Sequence, residues 1–281
     1  MTRSILSYQQ EDSVRLQCEI DLEQLFPPTK KRERERFEKK WEAFLESDPC
    51  NKEIFELKGN LLKYHSEQLI PTKLNKKPSL LLVLGNPASH SVKEGMFFSF
   101  EGNKKEHRFW KDILAKADVL KLSYDKNKSV KELNEHRKKQ LLDLNYESPF
   151  RIGLCVYISI PSGASGKWSG IAGVQKLIGA KAMRRLEAEE SLRVIKCAKD
   201  FLTPKGVVVT FQKNAWNGLR SKGDPEYKIN LARQGELKGR LKGMKNIPLF
   251  CVPPTRLSGP CSQVIRKHLT KQGYTLKYNK T

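Results

Sequence analysis

With 281 residues, 53 Lys and Arg against 31 Asp and Glu, and a formal net charge of +22, the chain is long enough for one large domain or two small ones. A hydrophobic fraction of 38% supports a sizeable core, and the mixed sign of its charged residues separates it from a disordered tail. Apolar runs such as Leu80 to Leu84 are far too short for a membrane span of about 20 residues, and residues 1–12 lack the apolar centre of a secretory signal. An intracellular protein is expected, in cytoplasm or nucleoid, or in the nucleus of a eukaryote.

Residues 29–45 predict an amphipathic helix, because Phe37, Trp41, Phe44 and Leu45 share one face while KKRERERFEKK sets opposite charges three and four apart. A second helix is expected over 52–69, burying Ile54, Leu57, Leu61, Leu62 and Tyr64, then a linker over 71–78. At Ser79 the pattern changes to SLLLVL, closed by Gly-Asn-Pro. Such a run marks a strand buried on both faces that delivers its C-terminal end to a loop. A helix follows at 107–117 around Phe109, Trp110, Ile113 and Leu114, then lysine-rich helix and loops over 121–145. Further strands are expected at 152–160 and 206–211, with a helix at 187–201 between them. A Gly- and Lys-rich loop at 217–246 leads to a fourth strand at 247–252 and a last helix at 262–270. This alternation implies a three-layer α/β sandwich with a central, mainly parallel four-stranded sheet over 79–281. An N-terminal helical extension over 1–78 precedes it, and the cleft lies beyond the strand C-termini.

The positive charge belongs to the globular body. Residues 1–78 hold 15 basic and 14 acidic residues, whereas 151–281 hold 25 and 7. Solubility alone does not call for so one-sided a surplus; an electrostatic footprint for nucleic acid does. The six cysteines and five histidines are scattered without ligand spacing, so no disulfide framework, metal site or cofactor is expected. The stretch from Ser162 to Trp168, SGASGKW, is not a nucleotide-binding P-loop: Pro161 and Trp168 stand where that motif needs Gly and Ser or Thr.

The sharper signal follows the first strand: Leu84-Gly85-Asn86-Pro87-Ala88-Ser89, then Gly95-Met96-Phe97-Phe98-Ser99-Phe100, Gly102, and Arg108-Phe109-Trp110-Lys111. In this order the residues resemble the first motif of the uracil-DNA glycosylase superfamily, closest to its mismatch-specific and single-strand-selective branches. Pro204 to Trp216 resembles that family's third strand and the turn after it, and Pro253-Pro254-Thr255-Arg256-Leu257-Ser258 its second active-site motif. The likeness spans about residues 79–270.

The resemblance implies a monofunctional DNA glycosylase, an N-glycosyl hydrolase of base-excision repair. It flips uracil or a related damaged pyrimidine out of DNA, duplex or single-stranded, and hydrolyses its glycosidic bond. Asn86 would hold the attacking water. Gly85, Pro87, Phe98, Ser159 and Thr255 would bind the base, with Phe98 stacking on it. Arg256 would enter the helix, and Ser258, Lys213, Arg220 and Lys222 would contact the DNA backbone. A monomer without metal or cofactor is expected. Leu84 stands where the family has a leading Gly, and Pro253 where its branches have His or Asn. Those departures favour an alternative, a nucleic-acid-binding protein of the same fold with weak or no catalysis. A hydrolase of small nucleosides is a third reading, which the basic surplus opposes.

Overall fold

The computed structural model describes residues 4–101, 105–122, 127–253 and 259–276. The chain forms two compact units, neither contiguous in sequence: Met1–Gln68 with Gly85–Phe97 and Val156–Val194, and Leu69–Leu84 with Phe98–Cys155 and Ile195–Thr281. Among the described residues nine strands form a mixed sheet. The expected four-stranded, mainly parallel sheet is therefore too small and too uniform.

In the first unit the N-terminal segment is rich in strands instead of being a helical extension. Strands β1 (Leu6–Gln10), β2 (Arg15–Asp21), β3 (Phe55–Lys58) and β4 (Leu61–Leu69) pair antiparallel, with β2 between β1 and β4 and β3 on β4. Asp21 caps the short α1 (Leu22–Leu25) by accepting from Glu23 and Gln24 N–H. Helix α2 (Lys31–Leu45) forms where its amphipathic pattern places it, with Phe37, Trp41 and Phe44 buried. After α3 (Asn51–Ile54) the helix expected over 52–69 is replaced by the β3–β4 hairpin. The reason is local. Leu62, Tyr64 and Ser66 are buried in alternation with Leu61, Lys63 and His65, the period of a strand. Gly59, at φ 57°, supplies with Asn60 the turn that joins the two strands. Helices α4 (Ser89–Glu94), α6 (Gly170–Ile178) and most of α7 (Ala180–Phe201) complete this unit.

In the second unit the apolar runs do form strands. β5 (Ser79–Leu84), β7 (Val207–Thr210) and β9 (Met244–Cys251) are parallel neighbours, and every residue of β5 is buried. The order is β6-β5-β7-β9-β8, where β6 is Arg151–Val156 and β8 is Lys238–Leu241. Strand β8 and helix α9 (Ile229–Gln234) occupy the stretch expected as loop. The glycines there are turn residues: Gly235 (φ 67°) ends α9, and Gly243 (φ 76°) closes the β8–β9 hairpin. Helix α5 (Val130–Asp143) opens with a Ser129–Glu132 capping box, α8 (Lys213–Leu219) follows β7, and α10 (Gly259–Lys271) closes the unit. The helix expected at 107–117 is a π-helical turn, Phe109–Leu114, with Phe109, Trp110, Ile113 and Leu114 buried as expected. Among the described residues no helix is long and apolar enough to cross a membrane.

Candidate active site

Strand order reverses at β5: the chain goes from β5 to β6 on one side, then crosses to β7 on the other. Ligands of parallel sheets gather beyond the C-terminal ends of the strands flanking such a switch. Asn86 follows the last residue of β5 by two positions.

In the first unit, two loops are laced together around Asn86. The Gly85 carbonyl accepts the N–H groups of Tyr157 and Ile158 (2.9 and 3.0 Å), the Pro87 carbonyl accepts from Ser162 N–H (3.1 Å), and the Ser162 carbonyl accepts from Ser89 N–H (2.9 Å). Because Gly85 claims two successive N–H groups, β6 stops at Val156 and does not run on to Ile160. The Asn86 amide Nδ2 donates to the Ile160 carbonyl at 3.1 Å and to the Ser162 hydroxyl at 2.9 Å. A carbonyl can only accept, so this contact fixes which end of the amide is nitrogen. Oδ1 is turned away and has no partner among the described residues. The loop itself is anchored: Ser89 Oγ donates to Asn51 Oδ1 (2.6 Å), and Asn51 Nδ2 donates to the Phe44 carbonyl (2.8 Å).

Ser162 is the side chain holding the Asn86 amide that sequence reasoning missed. Its hydroxyl oxygen also accepts the N–H of Gly170, the first residue of α6, at 2.8 Å. It thus ties the Asn86 amide to a helix start. The only sequence signal is its place at the head of the Gly/Ser stretch already set aside as a P-loop.

Ser159 lies elsewhere in the same unit, in a sealed polar network. Its N–H and hydroxyl both donate to Glu190 Oε1 (2.6 and 2.5 Å), and Tyr64 OH stands 2.7 Å from its Oγ. Glu190 Oε2 pairs with Arg193 Nε at 2.6 Å, both side chains fully buried, and Arg193 donates on to the Val156 carbonyl. Burial pushes the neighbouring Cys18 thiol up to about 12 and raises the Tyr64 phenol as well. A serine committed to these partners has no hydroxyl left for a base edge.

In the second unit, Phe98 is half-buried at φ 48°, a left-handed conformation uncommon for a non-glycine residue. Its ring stacks on Phe109 at 4.1 Å and meets the His107 ring at 4.6 Å, tilted by 41°, and its carbonyl accepts from Trp110 Nε1 at 3.2 Å. Phe109 meets Phe211, just beyond β7, edge-on at 6.0 Å. Arg137, buried against the Trp110 ring, pairs with Glu106, and Arg108 holds the Glu101 carboxyl down to about 2. The Phe98 aromatic stack thus sits on a π-helical turn, a backbone form frequent at functional sites.

Of the expected DNA contacts, Lys213 and Lys222 are exposed, whereas Arg220 is occupied: Nη1 donates to the Asp224 carbonyl at 2.6 Å and Nη2 faces Glu226 at 3.6 Å. Thr255, Arg256 and Ser258 lie outside the described residues. None of the six cysteines is in a disulfide, and no group of three or more potential metal ligands occurs among the described residues. No protein-family model and no curated protein matches the chain.

Proposed function

We propose that this chain is a DNA glycosylase that hydrolyses the N-glycosidic bond of uracil or a related damaged pyrimidine. The observation that carries the reading is the Asn86 amide, held by Ile160 and Ser162 with Oδ1 left as an unused acceptor. Such an oxygen can hold a water by one of its protons and aim the water's lone pair. In the reaction, water adds to the sugar C1′ as the bond to the base breaks. The bonding electrons leave on the base and the water's surplus proton passes to solvent. An amide is too weak a base to drive this, so rate comes from position and from stabilising the departing anion. The motif series around Asn86 and the one-sided charge of residues 151–281 support DNA as the substrate.

A second reading, a nucleic-acid-binding protein without the chemistry, is favoured by Ser159, whose hydroxyl is spent on Glu190 and Tyr64. One experiment separates the two: the purified chain is incubated with labelled oligonucleotides bearing uracil, hypoxanthine, xanthine or a G·T mismatch, and abasic sites are cleaved with alkali. Strand cleavage dependent on the damaged base supports the glycosylase. Tight binding with every base retained leaves the binding protein.

A further inference from the structure

Residues 213–251 of the second unit carry nine Lys and Arg against three Asp and Glu. Of the three acids, Asp224 is taken by the N–H groups of Ser221 and Arg240 (3.2 and 2.8 Å), Glu226 faces Arg220, and Glu236 is exposed. Lys222, Lys238, Arg240, Lys242 and Lys245 are all exposed and make no ion pair among the described residues.

Strand geometry sorts these charges. β8 turns Leu241 into the core and Gly239 against Asp224, where a Cβ would collide with the carboxylate. The two-residue period then puts Lys238 and Arg240 together on the other face. Lys242 lies in the hairpin turn and Lys245 just after it, and Arg240 Nη1 reaches across to the Lys245 carbonyl at 3.1 Å. Lysines on an edge strand ordinarily guard against pairing with another chain. Here that edge is already covered: Ser221 N–H donates to the Arg240 carbonyl (3.0 Å) and Lys242 N–H to the Leu219 carbonyl (2.8 Å). The large apolar side chains exposed among the described residues are Leu61, Leu74 and Leu192. The hairpin therefore has nothing to insert into a membrane or to anchor a protein interface.

We propose that the β8–β9 hairpin and the adjoining Leu219–Lys222 segment form a phosphate-tracking surface for duplex nucleic acid, with Lys222, Lys238, Arg240, Lys242 and Lys245 neutralising backbone phosphates and reading no base. The surface rests on the nucleic-acid part of the function proposed above and is independent of base chemistry.

The test compares two variants of equal charge loss. One is Lys238→Gln, Arg240→Gln, Lys242→Gln and Lys245→Gln combined. The other is Lys31→Gln, Arg32→Gln, Arg36→Gln and Lys39→Gln on α2. Binding to an undamaged duplex of about 20 base pairs is followed from about 50 to 200 mM salt. Each lost phosphate contact removes about 0.9 from the slope of log K against log salt, so the hairpin variant, with four contacts gone, should lose ~3.6 and bind at least tenfold more weakly, with the α2 variant within twofold of wild type. Equal losses in both variants, or an unchanged hairpin variant, overturn the surface. So does a hairpin variant that loses binding to phosphatidylserine vesicles while keeping duplex affinity. If the fourfold variant melts early, Lys242→Gln with Lys245→Gln, both at the turn, carries the same comparison against two of the α2 changes. Base release by the wild type is read separately: binding through the hairpin without base release sinks the glycosylase alone, and base release with an indifferent hairpin sinks the surface alone.

Discussion

The Asn86 amide and the Gly170 N–H converge on one oxygen, the Ser162 hydroxyl, at 2.9 and 2.8 Å. A hydroxyl oxygen has two acceptor sites, so both are spent and the geometry is closed. Ser162→Ala removes the acceptor, and the Asn86 amide then keeps only carbonyl partners. Base release in single-turnover assays should fall at least about tenfold, a little over the worth of one such hydrogen bond, with little change in duplex affinity. Ser162→Thr retains the oxygen and should restore most of the rate. A threonine variant as slow as the alanine variant would show that packing, not the acceptor, is what matters.

Asn86 itself is the sharper test of chemistry. Positioning one water is worth several powers of ten when reaction geometry is tight, so Asn86→Ala should slow single-turnover cleavage by at least about a hundredfold. Folding should survive, since the side chain bonds only to Ile160, Ser162 and, at 3.4 Å, the Pro87 carbonyl. Loss of the folded state would reclassify Asn86 as a turn residue. Undiminished cleavage would remove it from the mechanism.

How far the sequence reaches depends on whether a contact is local. β5 is readable because five apolar residues in a row, Leu80 to Leu84, all buried, can be little else between a linker and Gly-Asn-Pro. The β3–β4 hairpin is not readable from its apolar residues, since Ile54, Leu57, Leu61, Leu62 and Tyr64 also suit a helical face. Only Gly59-Asn60 and the antiparallel partner β2 decide it. Ser159 sits at the end of an apolar run, where a substrate contact is a fair expectation, but Glu190, 31 residues later, takes its hydroxyl. Ser162 reaches Asn86 across 76 residues of sequence, a distance at which no periodicity speaks.

The Glu190–Arg193 pair predicts a large stability effect away from any chemistry. Both side chains are fully buried, and Arg193 also donates to the Val156 carbonyl at 2.5 Å. Removing one partner leaves the other charge in the interior, a loss of about 3–5 kcal/mol. Arg193→Met should lower the urea midpoint accordingly, whereas replacing both residues with apolar side chains should recover part of the loss. A single variant within about 0.5 kcal/mol of wild type, the range of ordinary surface changes, would mean that water reaches the pair.

His268 gives the chain a pH-dependent stability whose sign follows from its surroundings. The side chain is 2% exposed, its ring lies 4.5 Å from Phe250 at 21°, and its Nε2 is buried without a partner. Burial first, then Lys267, Lys271 and Lys238, push its pKa down from 6.5 to about 4. The unfolded chain therefore takes up a proton near pH 6.5 that the folded chain refuses until about pH 4. Stability from this residue is complete above the upper value and falls as pH drops through the window, by about 3 kcal/mol at its foot. His268→Leu keeps an apolar contact with Phe250 and cannot titrate. Urea midpoints at pH 7.5 and 4.5 should fall more steeply for wild type than for the variant, although both carry every other titrating group. Parallel losses in the two proteins would show that His268 is protonated in the fold, its ring turned toward water and away from the three lysines.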